Sequence, residues 1–248
     1  MEYYRLPLYI LFGVLPSLIW LFYYLRKDLH PEPKRMILKI FLYGAFITIP
    51  VFFIQVGLSG LLRQLQSFAL FASFPLLIEM IKWFLIIAFT EELFKYLVVK
   101  SAILNNSELD EPLDIMLYMV VAALGFAAVE NILYLVLPLD NMPFDVVFQT
   151  TATISFIRFV GATFLHTLCS ALVGYFLALS SLRQKRHGTF ITIGLALATL
   201  LHGLYNFSII TLKSPLNFII PSMVIFALAI FIFYDFDEIK KVKSICKL

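Results

Sequence analysis

Residues 88–99 read AFTEELFKYLVV. Two carboxylates and an ammonium, Glu91, Glu92 and Lys95, sit in a run otherwise suited to hydrocarbon. Placing an ionisable group at bilayer depth costs several kcal/mol, so such groups mark sites that pair or work. The run lies inside an apolar stretch of spanning length, which takes roughly 20 residues. A lipid-crossing chain has to satisfy its backbone internally, so the stretch is predicted to be a helix. Working outward, further apolar runs predict spans near 6–25, 36–57, 79–100, 115–137, 153–180, 190–212 and 215–235. The expectation is an all-α, polytopic membrane bundle of about seven helices. It forms one domain over 1–248, with a motif-bearing core near 79–212. Residues 60–78 are expected to be partly interfacial, or a shallow re-entrant piece broken near Pro75.

Composition agrees with that reading. The chain is 61% hydrophobic and only 14% charged, against about 25% charged in a soluble domain. Too little polar surface remains to coat a soluble enzyme, and a nucleic-acid partner is excluded on the same ground. Cys169 lies in an apolar run and Cys246 in a basic tail, so no disulfide is expected.

Charge sets the expected orientation. Arg26, Lys27, Lys34, Arg35 and Lys39 follow the first span, and Arg183, Lys185 and Arg186 follow the fifth. The tail carries Lys240, Lys241, Lys243 and Lys247. Arg5, Arg63 and Lys213 lie on the other side. The chain is therefore expected in the cell membrane as a multi-pass protein, N-terminus outside and C-terminus cytoplasmic. The first span is not a cleaved signal, because its cations follow it.

Polar groups recur in other spans. Glu130 and Asn131 lie in GFAAVENILY, Arg158 and His166 in RFVGATFLHTLCSALVGY, and His202 and Asn206 in TLLHGLYNF. Counting from the cytoplasmic ends at 1.5 Å per residue, Glu91 is about 13 Å deep, His202 about 20 Å, His166 about 21 Å and Glu130 about 24 Å. Four helices thus bring titratable groups toward one level. Glu91 and Lys95 are i, i+4, so Lys95 can neutralise a carboxylate. Glu92 is turned about 100° away from Glu91.

Two histidines and a glutamate form a common catalytic zinc set, with water in the fourth position. Glu130, His166 and His202 are expected as Zn2+ ligands or water-positioning groups, and Glu91 as the base for water. Glu92 is a supporting group or a further ligand. Asn206 is the expected oxyanion donor.

Blander readings stand beside these. Glu91 with Lys95 reads equally as a structural ion pair, and His202 as a hydrogen-bonded core histidine. Arg158 reads as a side chain snorkelling outward, and Glu79 with Lys82 as a local pair. His30 and His187 read as solvated loop residues. The literal GxSG at Gly57-Leu58-Ser59-Gly60 reads as a turn. HExxH and GxGD motifs are absent. A seven-helix receptor or ion-coupled transporter is the alternative. The span 215–235 lacks a lysine for a retinal Schiff base, and no internal repeat supports a carrier.

Four blocks in order carry a resemblance. These are Glu91-Glu92-Leu93-Phe94-Lys95, then Glu111-Pro112-Leu113-Asp114 with Gly125-Phe126 and Glu130-Asn131. His166 with Gly174-Tyr175 and His202-Gly203-Leu204-Tyr205-Asn206 follow. They resemble the PrsW family of intramembrane proteases, itself distantly similar to CAAX-prenyl endopeptidases. Those relatives use EExxxR and FxxxH. Here Lys95 stands one position early, and Glu130 stands where FxxxH has its histidine. The resemblance implies cleavage of a membrane-anchored, single-span protein such as an anti-sigma factor, on its outer side and among membrane lipids. It also implies Glu91, Glu92, Glu130, His166 and His202 as catalytic or metal-binding positions.

Overall fold

The computed structural model describes residues 5–27, 30–68, 72–103, 111–136, 143–182 and 187–239. Seven helices run through them, and no strand occurs among the described residues. They are α1 (Leu6–Leu25), α2 (Lys34–Gln66), α3 (Pro75–Ala102), α4 (Pro112–Val136), α5 (Phe144–Leu182), α6 (His187–Thr211) and α7 (Leu216–Ile239). Within α3 the segment Ile81–Phe89 is π-helical, and within α5 the segment Phe159–Thr163 is. All but α3 are long and apolar enough to cross a membrane. α3 has comparable reach but carries Glu79, Lys82, Glu91, Glu92 and Lys95.

Prolines set several starts. Pro75 and Pro112 open α3 and α4, and Pro33 and Pro143 cap α2 and α5. A first-turn proline gives up no intrahelical hydrogen bond and has its φ preset. Pro75 therefore begins a helix and does not break one. A re-entrant piece broken near Pro75 does not occur among the described residues: α2 runs on to Gln66 and α3 starts at Pro75, while 69–71 lie outside the described residues. The GxSG stretch lies inside α2 and is not the expected turn. A Cβ at Gly57 or Gly60 would meet nothing within 4 Å, so no close approach requires those glycines. The fifth span begins earlier than expected, at Phe144. The tail cations and Arg183, Lys185 and Arg186 fall outside the described residues.

α4 is the axis of the bundle. Residues 115–124 are at most 1% exposed, on every side of the helix. A helix apolar all round belongs in a protein interior, and α1, α2 and α5 surround this one. Small residues let the backbones approach, as at membrane helix interfaces generally. A side chain at Gly44 would strike the Ala122 carbonyl, and one at Gly125 the Phe41 carbonyl. Neither obstacle is a flexible side-chain end. Gly125→Val is therefore expected to lower the melting temperature in detergent sharply, at a cost of about 3 kcal/mol or more from overpacking. An unchanged melt would refute this contact. The outer faces carry Phe46, Phe53, Phe218 and Phe226, each at least 65% exposed, the surface that lipid tails cover.

Candidate active site

α3, α4, α5 and α6 meet around one group of polar side chains. Glu92 and Lys95 are fully buried, and Glu91, His166 and His202 are 2–3% exposed. A polar interior of this kind survives only if its members satisfy one another. Here they form a chain. Arg158 Nη2 donates to Glu130 Oε2 at 2.7 Å. The same oxygen lies 2.8 Å from His166 Nε2. His166 Nδ1 lies 2.8 Å from Lys95 Nζ. Lys95 Nζ also donates to Glu92 Oε1 at 2.8 Å, and that oxygen lies 2.9 Å from His202 Nδ1.

Donor logic assigns the protons. An ammonium only donates, so His166 Nδ1 accepts and its Nε2–H donates to Glu130. His202 Nδ1–H donates to the Glu92 carboxylate, which leaves its Nε2 lone pair open. Ser170 closes the far side by donating to Glu92 Oε2 at 3.3 Å.

Arg158 does not snorkel. Its Nε donates to Asn131 Oδ1, and its Cζ lies 4.0 Å from the centre of the Tyr134 ring. The Glu130 charge draws it inward. The π turn at Phe159–Thr163 separates it from His166, and both side chains reach the same Glu130 oxygen. Such single wide turns often sit at functional sites. Lys82 lies 3.9 Å from Glu79, as the local pairing predicted. His30 is largely exposed, as a solvated loop residue should be, and its Nδ1 lies 2.7 Å from Glu111 Oε1. The side chain of His187 falls outside the described residues.

Glu91 differs from its neighbour. Its Oε1 accepts from Gln55 Nε2 at 3.1 Å. Its Oε2 is buried with no hydrogen-bond partner. That oxygen lies 3.8 Å from His202 Nε2, 3.9 Å from His166 Nδ1 and 3.8 Å from Lys95 Nζ. One donor atom each from Glu91, His166 and His202 lies within 4.8 Å of the others. An orphaned carboxylate oxygen facing two imidazoles fits a divalent metal, since a buried anion without a partner is otherwise costly. The Glu92–His202 contact is the usual outer support of a metal-binding imidazole.

A cavity of about 320 Å³ opens beside this group, walled by Phe52, Trp83, Phe126 and Tyr134. Glu91, Glu130 and Asn206 also reach its wall, whereas Glu92 and His202 do not line it. Of the expected residues, Glu92, Glu130, His166 and His202 are thus joined in one chain through Lys95, Glu91 lies 3.8–3.9 Å from that chain, and Asn206 shares the cavity wall with Glu91 and Glu130. Gln55 and Ser170 were not anticipated. Gln55 did leave a signal, as an amide in the apolar run IPVFFIQVGL over 49–58, but attention to ionisable groups passes over it.

A family model described as "PrsW family intramembrane metalloprotease" matches residues 32–234. Protease PrsW of Oceanobacillus iheyensis is 30% identical over 213 residues, 86% of this chain and 88% of that protein. Protease PrsW of Bacillus subtilis (strain 168) is 27% identical, over 86% of this chain and 87% of that protein. Protease PrsW of Clostridioides difficile (strain 630) is 26% identical, over 82% and 79%. No solved structure matches.

Proposed function

The chain belongs to the PrsW family of intramembrane metalloproteases, and from that premise we propose that it cuts a single-span, membrane-anchored protein with a zinc-activated water. Membership makes it a multi-pass membrane protease and sets aside the receptor and carrier readings. An anti-sigma factor is the substrate class suggested by the resemblance of its motif blocks, with cleavage on the outer side and the N-terminus outside.

The observation that carries the mechanism is the unpartnered Glu91 Oε2 facing His166 and His202. In this reading Glu91, His166 and His202 hold the zinc, and Glu130 takes the base role. The two glutamates thus exchange the parts that residue type alone suggests. The reason is reach: Glu91 Oε2 lies within 4 Å of both imidazoles, while Glu130 Oε2 is already committed to His166 and Arg158.

When bound, zinc would polarise the scissile carbonyl and lower the pKa of its water. His166 would hold the metal through Nδ1, the atom that accepts from Lys95 in this structure, and Lys95 would keep its bond to Glu92. Glu130, 19% exposed toward the cavity, receives the proton and passes it to the leaving amine. Asn206, on the cavity wall, donates to the developing oxyanion. The aromatic walls seat apolar residues flanking the cut.

The test uses detergent-purified protein and a single-span model substrate. About one zinc per chain is expected, with cleavage lost on chelation and regained on adding zinc. Cleavage that persists in metal-free protein would remove the metal from the mechanism.

A further inference from the structure

We infer that Gln55 of α2 is a positioning residue that aims the Glu91 carboxylate at the two histidines. The inference rests on the zinc-site reading above and adds a residue outside all four motif blocks. Three acceptors surround one amide nitrogen. Gln55 Nε2 lies 3.1 Å from Glu91 Oε1, 3.2 Å from Thr90 Oγ1 and 3.4 Å from the Ile87 carbonyl. An amide nitrogen offers two hydrogens and no lone pair, so this surrounding also fixes which end of the Gln55 amide faces α3. The Thr90 hydroxyl donates to the Ile86 carbonyl at 2.5 Å, which leaves its oxygen free to accept from Gln55.

The acceptors come from the junction of the π segment with the α-helix after it, at Phe89 and Thr90. Gln55 therefore grips α3 at the turn that delivers Glu91. A glutamate has three rotatable side-chain bonds, and Lys95, 3.8 Å from Oε2, competes for its charge. With Oε1 held from α2, Oε2 is the oxygen left to face His202 and His166. Outer hydrogen bonds of this kind orient metal ligands, and their loss weakens metal binding by roughly 10- to 100-fold.

The test compares wild type, Gln55→Leu, Thr90→Val and Thr90→Ser as full-length protein in detergent. Zinc affinity is read by competition with a chromophoric chelator, and kcat and KM on the single-span substrate. Gln55→Leu keeps the side-chain volume and removes the donor. It should bind zinc on the order of 10-fold or more weakly and lose kcat in step, with KM within about twofold. Thr90→Val should move the same way by less, and Thr90→Ser, which keeps the hydroxyl, should recover most of that loss. If Gln55→Leu changes KM alone, or only the melting temperature, Gln55 merely lines the cavity and the inference is overturned. A wild type that holds no zinc, with Glu91→Gln still active, would instead overturn the zinc site itself, and this inference with it. Should Gln55→Leu fail to fold, the threonine pair decides: equal zinc affinity in Thr90→Val and Thr90→Ser refutes the clamp.

Discussion

Glu91→Gln is expected to lower kcat by a factor on the order of 10³ or more, to lose bound zinc, and to leave the protein folded with a melting temperature at or above that of the metal-free wild type. The sign of the stability change follows from burial. Glu91 Oε2 is 3.8–3.9 Å from three nitrogens yet hydrogen-bonded to none. A buried charge without a close partner destabilises the fold, and a neutral amide of the same shape removes that cost. The amide oxygen still accepts from Gln55, so geometry is kept while charge is lost. Function at the expense of stability is common where a site must hold an unsatisfied group for a ligand. Three measurements decide: zinc per chain, cleavage of a single-span substrate, and thermal unfolding in detergent. A variant with kcat within tenfold of the wild type would end Glu91's part in catalysis. A marked fall in melting temperature below that of the metal-free wild type would mean that Glu91 serves the fold instead.

Lys95→Met carries the second large effect, and it falls on folding. Lys95 is fully buried and lies 2.8 Å from Glu92 Oε1 and 2.8 Å from His166 Nδ1. Its ammonium also lies 4.7 Å from the Phe126 ring centre. Removing one member of a buried ion pair strands the other, which costs about 3–5 kcal/mol. Glu92 would keep only the histidine and a weak serine contact. The variant should express poorly or melt far below the wild type. Adding Glu92→Gln removes the stranded charge, so the double variant should regain most of the stability. It should not regain cleavage, because His202 loses the carboxylate that orients it. A single variant melting with the wild type would show that Glu92 draws its compensation from elsewhere.

Much of this protein was legible from residue type. A run such as AFTEELFKYLVV combines spanning length with charges that lipid does not tolerate, and this is enough to predict a helix with an inward polar face. Glu130, His166 and His202 were found by the same criterion, and the structure joins them into one network. Arg158 was left open between the two readings because depth alone does not separate a snorkelling cation from one facing a buried carboxylate; the difference lies in Glu130 on another helix. Gln55 was passed over because an uncharged amide costs little in an apolar run and stands out only beside its acceptors. Pro75 was read as a break because proline looks the same at a first turn and in a helix interior, and its meaning depends on where the helix begins.

Hydropathy and charge are local properties, and they determined the helical, membrane-embedded nature of the chain, most span positions and the residue types of its buried polar network. Tertiary structure decided which oxygen of which glutamate meets the imidazoles. Glu91 and Glu92 are adjacent and chemically identical, so nothing local tells them apart. Their difference arises because Lys95 and His202 bond Glu92 closely, while Gln55, from a helix far back in the chain, holds one oxygen of Glu91 and leaves the other without a partner.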